Sequence, residues 1–401
     1  MRHASTSRVR CGPWFYPTFI AASVLLLIGL YAAHHVEVTG HVITGMNNSI
    51  VWGLPHVFAL FLIVAASGAL NVASIGSVFA QQAYKDWARL SALLCNSLLA
   101  GGLLILTLDL GRPERFMMPG THFNPTSLFA WNVILYSGMF ALVLAYSWAM
   151  FERRLSVWTT AGGIAALAWR IILTTGTGSI FAFLVAREAY ASALLPPMFI
   201  VLSFGWGLAV FLLVQALLAR IDGQPVDADT ERRMTRLLGV YAAASLYFVA
   251  ISHLVNGYYE RGQAFERFIL LEGMPYAPMF WIGFVLIGCV IPMVLLFAPR
   301  FGPVHRLWAA ACVIVGAFAF LYVFVIGGQA YPLELFPGAT VSSSFLDGVV
   351  APYQPSVWEL MLGLSGLGAA AVLTLIGLRV FEFMPAPIPP GVKAERLGVD
   401  L

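Results

Sequence analysis

The chain has 401 residues, of which 60% are hydrophobic and only 10% charged, with a mean hydropathy of +0.84. That composition excludes an ordinary soluble domain and describes a polytopic membrane protein. A formal net charge of +3, thinly spread, excludes a nucleic-acid binder.

At the start, MRHASTSRVR precedes an apolar run from Phe19 to Ala33. The run exceeds the ~7–15 residues of a signal-peptide core. Trp14, Phe15 and Tyr16 read as an interfacial belt, so a retained first span is expected. Windows of about 20 apolar residues then predict ten membrane helices in an all-α protein. They fall at 17–34, 51–79, 88–109, 127–150, 156–175, 193–219, 236–256, 278–298, 306–328 and 356–381.

Nearly all Lys and Arg, from Arg8 and Lys85 to Arg379, fall on the side of the N-terminus. The opposite side holds Arg112, Arg115, Arg187, Arg261 and Arg267. Cytoplasmic N- and C-termini are expected from this bias. Residues 1–16 read as a cytoplasmic segment, and 17–50 as the first helix with an outward loop. Residues 51–175 read as one four-helix bundle, and 176–328 as an outward connection and a second bundle. Residues 329–383 add a loop and the tenth helix, and 384–401 form a cytoplasmic tail.

The two bundles echo one another. Arg89 precedes Asp109 by twenty residues, as Arg236 precedes Asn256. Each helix runs into an outward Glu-Arg-Phe, at 114–116 and 266–268, followed by a proline and a Phe-to-Trp helix start. That pattern is expected of a parallel repeat. His253 and Asn256 then occupy the place that Asp109 has in the first bundle, leaving the second without an acid there.

The stretch from Leu106 to Trp131 is the most unusual in the sequence. Gly111 and Pro113 stop a helix. Asp109 sits at that helix's C-terminus, where both lipid and the helix dipole oppose an anion. It needs a partner or a job. His56, Asp109, Arg170, Arg187, Glu188, His253 and Glu359 all map to the outward half, which makes one outward site the economical reading. A lone membrane histidine is commonly a packing residue. Two features raise His56: Pro55, expected to loosen the helix, and the polar residues Ser67, Asn71 and Ser74 farther along its face. Those three are either helix–helix glue or a proton route. Arg170 is expected to pair with Asp109 or Glu188. Trp131, Tyr136 and Trp169 are belt or packing residues, or the walls for a ring-shaped ligand.

The four cysteines, Cys11, Cys95, Cys289 and Cys312, show no CxxC, CxxCH or Cys/His cluster, so no metal, iron–sulfur or c-type haem ligand set is expected. Bis-histidine haem b would have to use His56 and His253 from different bundles.

The residues resemble a known family. Asp109-Leu-Gly-Arg-Pro113 closing one helix and Phe123-Asn124-Pro-Thr-Ser127 opening the next resemble the NrfD/PsrC membrane subunits. So do Gly176-Thr-Gly-Ser-Ile-Phe181, Ala186-Arg-Glu-Ala-Tyr190 and Pro196-Pro-Met198. The ten-helix length resembles the longer branch with HybB- and DsrP-type subunits, and the second set of motifs is most similar to the DsrP type of the DsrMKJOP complex. The resemblance implies a subunit with no redox cofactor of its own, in the bacterial inner membrane. It implies a quinone substrate, menaquinone or ubiquinone, near the outward face, beside a periplasmic ferredoxin-like iron–sulfur subunit. A multihaem cytochrome c and a haem b membrane subunit are the further partners implied by the DsrP type.

On this reading His56 is the hydrogen-bond partner and proton acceptor of the quinone head, the role for which an imidazole, able to donate or accept a proton, is suited. Asp109 relays protons with Arg170 as counter-charge, and Trp131, Tyr136 and Trp169 complete the head-group pocket. Arg112, Glu114, Arg115 and His122 dock the partner. A non-redox membrane anchor is the alternative. A secondary transporter is the other, although its polar groups would cluster at the midplane and its repeats would usually be inverted.

Overall fold

The computed structural model describes residues 6–9, 12–222, 227–298, 302–333, 336, 339, 341–343 and 347–385. Ten helices long and apolar enough to cross a membrane follow in order. They are α1 (Phe15–Thr39), α2 (Leu54–Ser77), α3 (Ala88–Leu108), α4 (Leu128–Phe151), α5 (Arg154–Ala182), α6 (Leu195–Asp222), α7 (Ala228–Tyr258), α8 (Tyr276–Phe297), α9 (Val304–Ala330) and α10 (Val357–Val380). Both ends of the described segment lie at one end of the bundle, where Thr6 and Ser7 pair antiparallel with Pro385 and Met384. The opposite end, called distal below, carries the loops after α1, α3, α5, α7 and α9. Arg2, Arg10, Arg300 and most of the tail, with Lys393 and Arg396, lie outside the described residues.

Helices α2–α5 pack as one four-helix bundle and α6–α9 as a second. The two meet along α2 and α6, while α10 packs against α2 and α3 and α1 packs against α10. Helix α2 is therefore wrapped on all sides; 89% of its apolar window is buried, the largest share of the ten. Glycine permits this. A Cβ on Gly68 would fall 1.6 Å from the Ser203 carbonyl oxygen, and one on Gly207 would fall 2.1 Å from the Ala69 nitrogen. Close backbone approach through small residues replaces the hydrophobic drive that lipid removes. The α10 segment uses Gly366 and Gly368 against α3 and α1 in the same way.

Most predicted boundaries hold within a few residues. Helices α1 and α5 run farther at their distal ends than predicted, to Thr39 and Ala182 rather than 34 and 175, and two starts differ for clear reasons. Helix α7 starts at Ala228 rather than near 236 because Asp227 caps it, accepting from Thr230 N at 2.9 Å, and polar contacts carry it past the apolar stretch. Helix α2 starts at Leu54 rather than 51, so Pro55 lies in its first turn. Proline removes no hydrogen bond there. The expected loosening by Pro55 is not present, and His56 stands at the helix rim rather than a turn and a half inside.

The distal loops are knitted by buried polar groups. Gln329 accepts from Val51 N and Trp52 N at 3.0 Å each and donates to the Trp52 carbonyl at 3.0 Å. Arg187 donates to the carbonyls of Gln329 and Ser49, both at 2.8 Å. Glu359 is 1% exposed and accepts from Gly45 N, Ser356 N and the Tyr353 hydroxyl. Burial first, then the Glu359 carboxylate, pushes the Tyr353 phenol far above its ordinary value, so its proton stays in place to be donated. Arg187 and Glu359 thus hold the segment 45–54 that feeds α2, rather than belonging to the site itself. Replacing Glu359 with Ala leaves three half-buried donors without their acceptor, and about 3 kcal/mol of destabilisation is expected. Thermal unfolding in detergent should register it as a midpoint several degrees lower; an unchanged midpoint would remove Glu359 from this scaffold.

Candidate functional site

The distal end of α2 meets the distal end of α3 in one polar contact. His56 Nδ1 stands 3.0 Å from Asp109 Oδ2. Their side chains are 25% and 2% exposed, so the imidazole can be reached and the carboxylate cannot. The spacing is that of an ion pair, yet neither atom has an aligned hydrogen bond among the described residues, so each keeps capacity for a third group. The acid that α3's own dipole opposes is held by its neighbours: His56 lies in the first turn of α2, whose N-terminal dipole favours an anion. The backbone around Asp109 is pinned as well. His41 Nε2 sits 3.0 Å from the Asp109 carbonyl, and Gly111, at φ +68°, turns so closely that a Cβ would meet the His41 ring at 2.8 Å.

Aromatic groups stand beside the dyad. Trp52 lies with its ring centre 6.3 Å from that of His56, and it also touches Phe129 at 6.2 Å and Phe181 at 5.4 Å. Trp52, His41 and Gln329 escape a reading of the sequence. The available signal is a Trp-Gly-Leu-Pro run just before an apolar window, which reads equally as an interfacial belt.

Other expected members lie elsewhere. Arg170 is not the counter-charge of Asp109. Its guanidinium donates to the Ser67 carbonyl at 3.1 Å and covers the Phe204 ring at 5.3 Å, near the middle of α5. Twelve residues separate it from the distal end of that helix at Ala182, about 18 Å at helical rise. Trp169 donates to the Leu135 carbonyl and packs against Gly138, which joins α5 to α4. Tyr136 is buried against Thr177. Trp131 is 44% exposed and donates to the Pro125 carbonyl. Ser67, Asn71 and Ser74 are all buried. Ser67 is bonded to Thr174 at 2.6 Å and Ser74 to the Leu70 carbonyl at 3.2 Å, the contacts of helix–helix and local backbone bonding. About 16 Å of α2 backbone lies between His56 and Ser67.

The loop from Arg112 to Asn124 covers the distal surface next to the dyad. Arg112, Glu114, Arg115 and His122 are all exposed, and Met117, Met118 and Phe123 are 53%, 48% and 39% exposed among them. Arginine, methionine and aromatic groups together are the composition of a protein-binding surface.

Ten apolar helices in two joined bundles, with a histidine–carboxylate dyad at one rim, define a multi-pass membrane protein with a polar site at the end of its central helix. A family model described as "Polysulphide reductase, NrfD" matches residues 42–332, and the protein belongs to that family. It is 28% identical to the Hdr-like menaquinol oxidoreductase integral membrane subunit of Archaeoglobus fulgidus, over 92% of this sequence and 94% of that one. It is 24% identical to the C subunit of the Wolinella succinogenes polysulfide reductase, over 71% and 96%, and 25% identical to protein NrfD of Escherichia coli, over 62% and 84%.

Proposed function

We propose that this protein is the quinone-handling membrane subunit of an oxidoreductase complex. It exchanges electrons between a membrane hydroquinone or quinone and a ferredoxin-like iron–sulfur subunit on its distal face. The observation that carries the reading is the unaligned, partly accessible His56–Asp109 dyad beside Trp52. Support comes from the relatives, one called a menaquinol oxidoreductase subunit and another the C subunit of a polysulfide reductase. The distal face is the outward face of the bacterial inner membrane on this reading, with both termini cytoplasmic; the Lys and Arg bias supports that orientation. A DsrP-type complex, with a multihaem cytochrome and a haem b subunit, is the finer assignment proposed.

In the oxidising direction a hydroquinone gives up two electrons and two protons and leaves as the quinone. His56 takes the proton of the nearer hydroxyl at a ring nitrogen, Asp109 stabilises the imidazolium or accepts that proton in turn, and the farther hydroxyl gives its proton to water at the distal rim. Trp52 bounds the ring. The electrons leave across the short distal loop to the partner's clusters; this subunit contributes the positioned base and carboxylate. In the reducing direction the same two groups return one proton and water supplies the other.

The test uses the complex purified with its iron–sulfur partner. Added hydroquinone should reduce the partner's clusters. A complex that keeps the partner and shows no such reduction would make this subunit an anchor alone. Replacing Arg112 and Arg115 together with Gln should weaken partner retention about tenfold and make what remains less sensitive to salt, while leaving the membrane protein's own unfolding unchanged. Unaltered retention would move the docking surface away from this loop.

A further inference from the structure

The second bundle has a polar dyad of its own. His253 Nδ1, near the distal end of α7, lies 2.6 Å from Glu266 Oε2 on the short helix Glu260–Arg267 that follows. Repeat matching by sequence puts Asn256 opposite Asp109 and so gives this bundle no acid; the folded protein supplies one from the loop. Glu266 is 5% exposed, and its other oxygen, Oε1, is buried with no partner among the described residues. It borders a cavity of about 40 Å³ together with Ser252, His253, Asn256, Phe280 and Phe324.

The backbone around this cavity is also unusual. The three π-helical stretches among the described residues are Phe268–Glu272, Met279–Val290 and Tyr322–Gly327. Each contributes to its wall, through Ile269, Phe280, and Val323 with Phe324. π-Helical turns are rare and concentrate at functional sites. The cavity is neither the His56 site nor remote from it. Phe324 touches Phe181 at 4.9 Å, and Phe181 touches Trp52 at 5.4 Å.

We propose that this cavity is a second ligand site, for the hydroxylated ring of a hydroquinone. Its chemistry is specific. With the His253 proton on Nδ1 and given to Glu266, His253 Nε2 and Glu266 Oε1 are two acceptors without protons of their own. They suit a ligand that brings hydroxyl donors. Phenylalanine walls suit its ring, and the exposed Leu254 and Val255 beside it on α7 place the cavity next to lipid. At rest the cavity has room for about three waters. A ring enters when Phe280 moves; Phe280 meets the His253 ring only edge-on, at 4.8 Å between centres. The ligand class is the one argued for His56, but the site is separate, and so is its failure.

The experiment is photolabelling of the intact complex with an azido-substituted naphthohydroquinone kept reduced, with labelled peptides located by mass spectrometry. Two labelled regions are expected, one at the start of α2 and one on α7 and α8. Glu266→Gln should lower the α7–α8 label about tenfold, the loss of one hydrogen bond to a charged acceptor, and leave the α2 label unchanged. Ser252→Leu, which fills the cavity without touching a charge, should do the same even where the Glu266 variant folds poorly. His56→Ala should do the reverse. An α7–α8 label that is missing, or that neither second-bundle variant reduces, overturns the proposal while the His56 reading stands. An α2 label that is missing beside an α7–α8 label lost in both variants upholds it and sinks the His56 reading instead.

Discussion

Replacing His56 with Ala is expected to lower quinone-linked turnover by about 100-fold or more, the usual contribution of a positioned base, while the complex still assembles. The imidazole is reachable, and its Nδ1 has no aligned hydrogen bond among the described residues, so little of the fold hangs on it. The loss should appear in kcat rather than in the amount of protein extracted from membranes. A neutral replacement of Asp109, Asp109→Asn, should give a smaller loss, since the amide keeps a polar contact to His56 but cannot balance an imidazolium. Near-normal turnover in the His56 variant, measured as hydroquinone-dependent reduction of the partner, would remove His56 from the chemistry.

Replacing Gly68 with Leu is expected to do the opposite: to abolish the folded protein. A side chain there has to enter the Ser203 carbonyl, since even a Cβ would lie 1.6 Å from it. Backbone faces backbone at that point, so no rotamer relieves the clash and the two bundles must separate. More than about 4 kcal/mol is expected, the range of severe overpacking. Gly257→Leu on α7 is the matched control, for a Cβ there meets nothing within 4 Å. It should leave the yield of monodisperse protein in detergent unchanged while Gly68→Leu yields none. Equal yields from the two would mean that α2 and α6 do not carry the contact between bundles.

Much of this architecture is legible in the sequence because lipid imposes it. A run of apolar residues long enough to span has few options other than a helix, so all ten helices follow from hydropathy. What hydropathy does not carry is which faces meet. Gly68 and Gly207 look like any small residues in an apolar helix, and only the packed bundle shows that α2 is the central one.

The site is legible in part, and its misses have a common cause. His56 and Asp109 stand out because a charged group in a membrane helix is costly. Pairing Arg170 with Asp109 rests on charge alone, although the count along α5 puts it about 18 Å deeper, where a backbone carbonyl and an aromatic ring serve it instead. Trp52 and Glu266 lie in connecting segments, whose positions depend on how helices from distant parts of the sequence come together. Glu266 in particular changes the comparison of the two bundles: each has a histidine beside an acid, supplied from different places in the repeat.

The central claim is that a quinone head group sits against His56 and Asp109 at the rim of α2. A cryo-EM map of the complex with a short-tailed naphthohydroquinone tests this most directly. The account predicts ring density beside Trp52 with a hydroxyl within hydrogen-bond reach of the His56 imidazole. Density for the ring elsewhere on the protein, with nothing at His56, would contradict it.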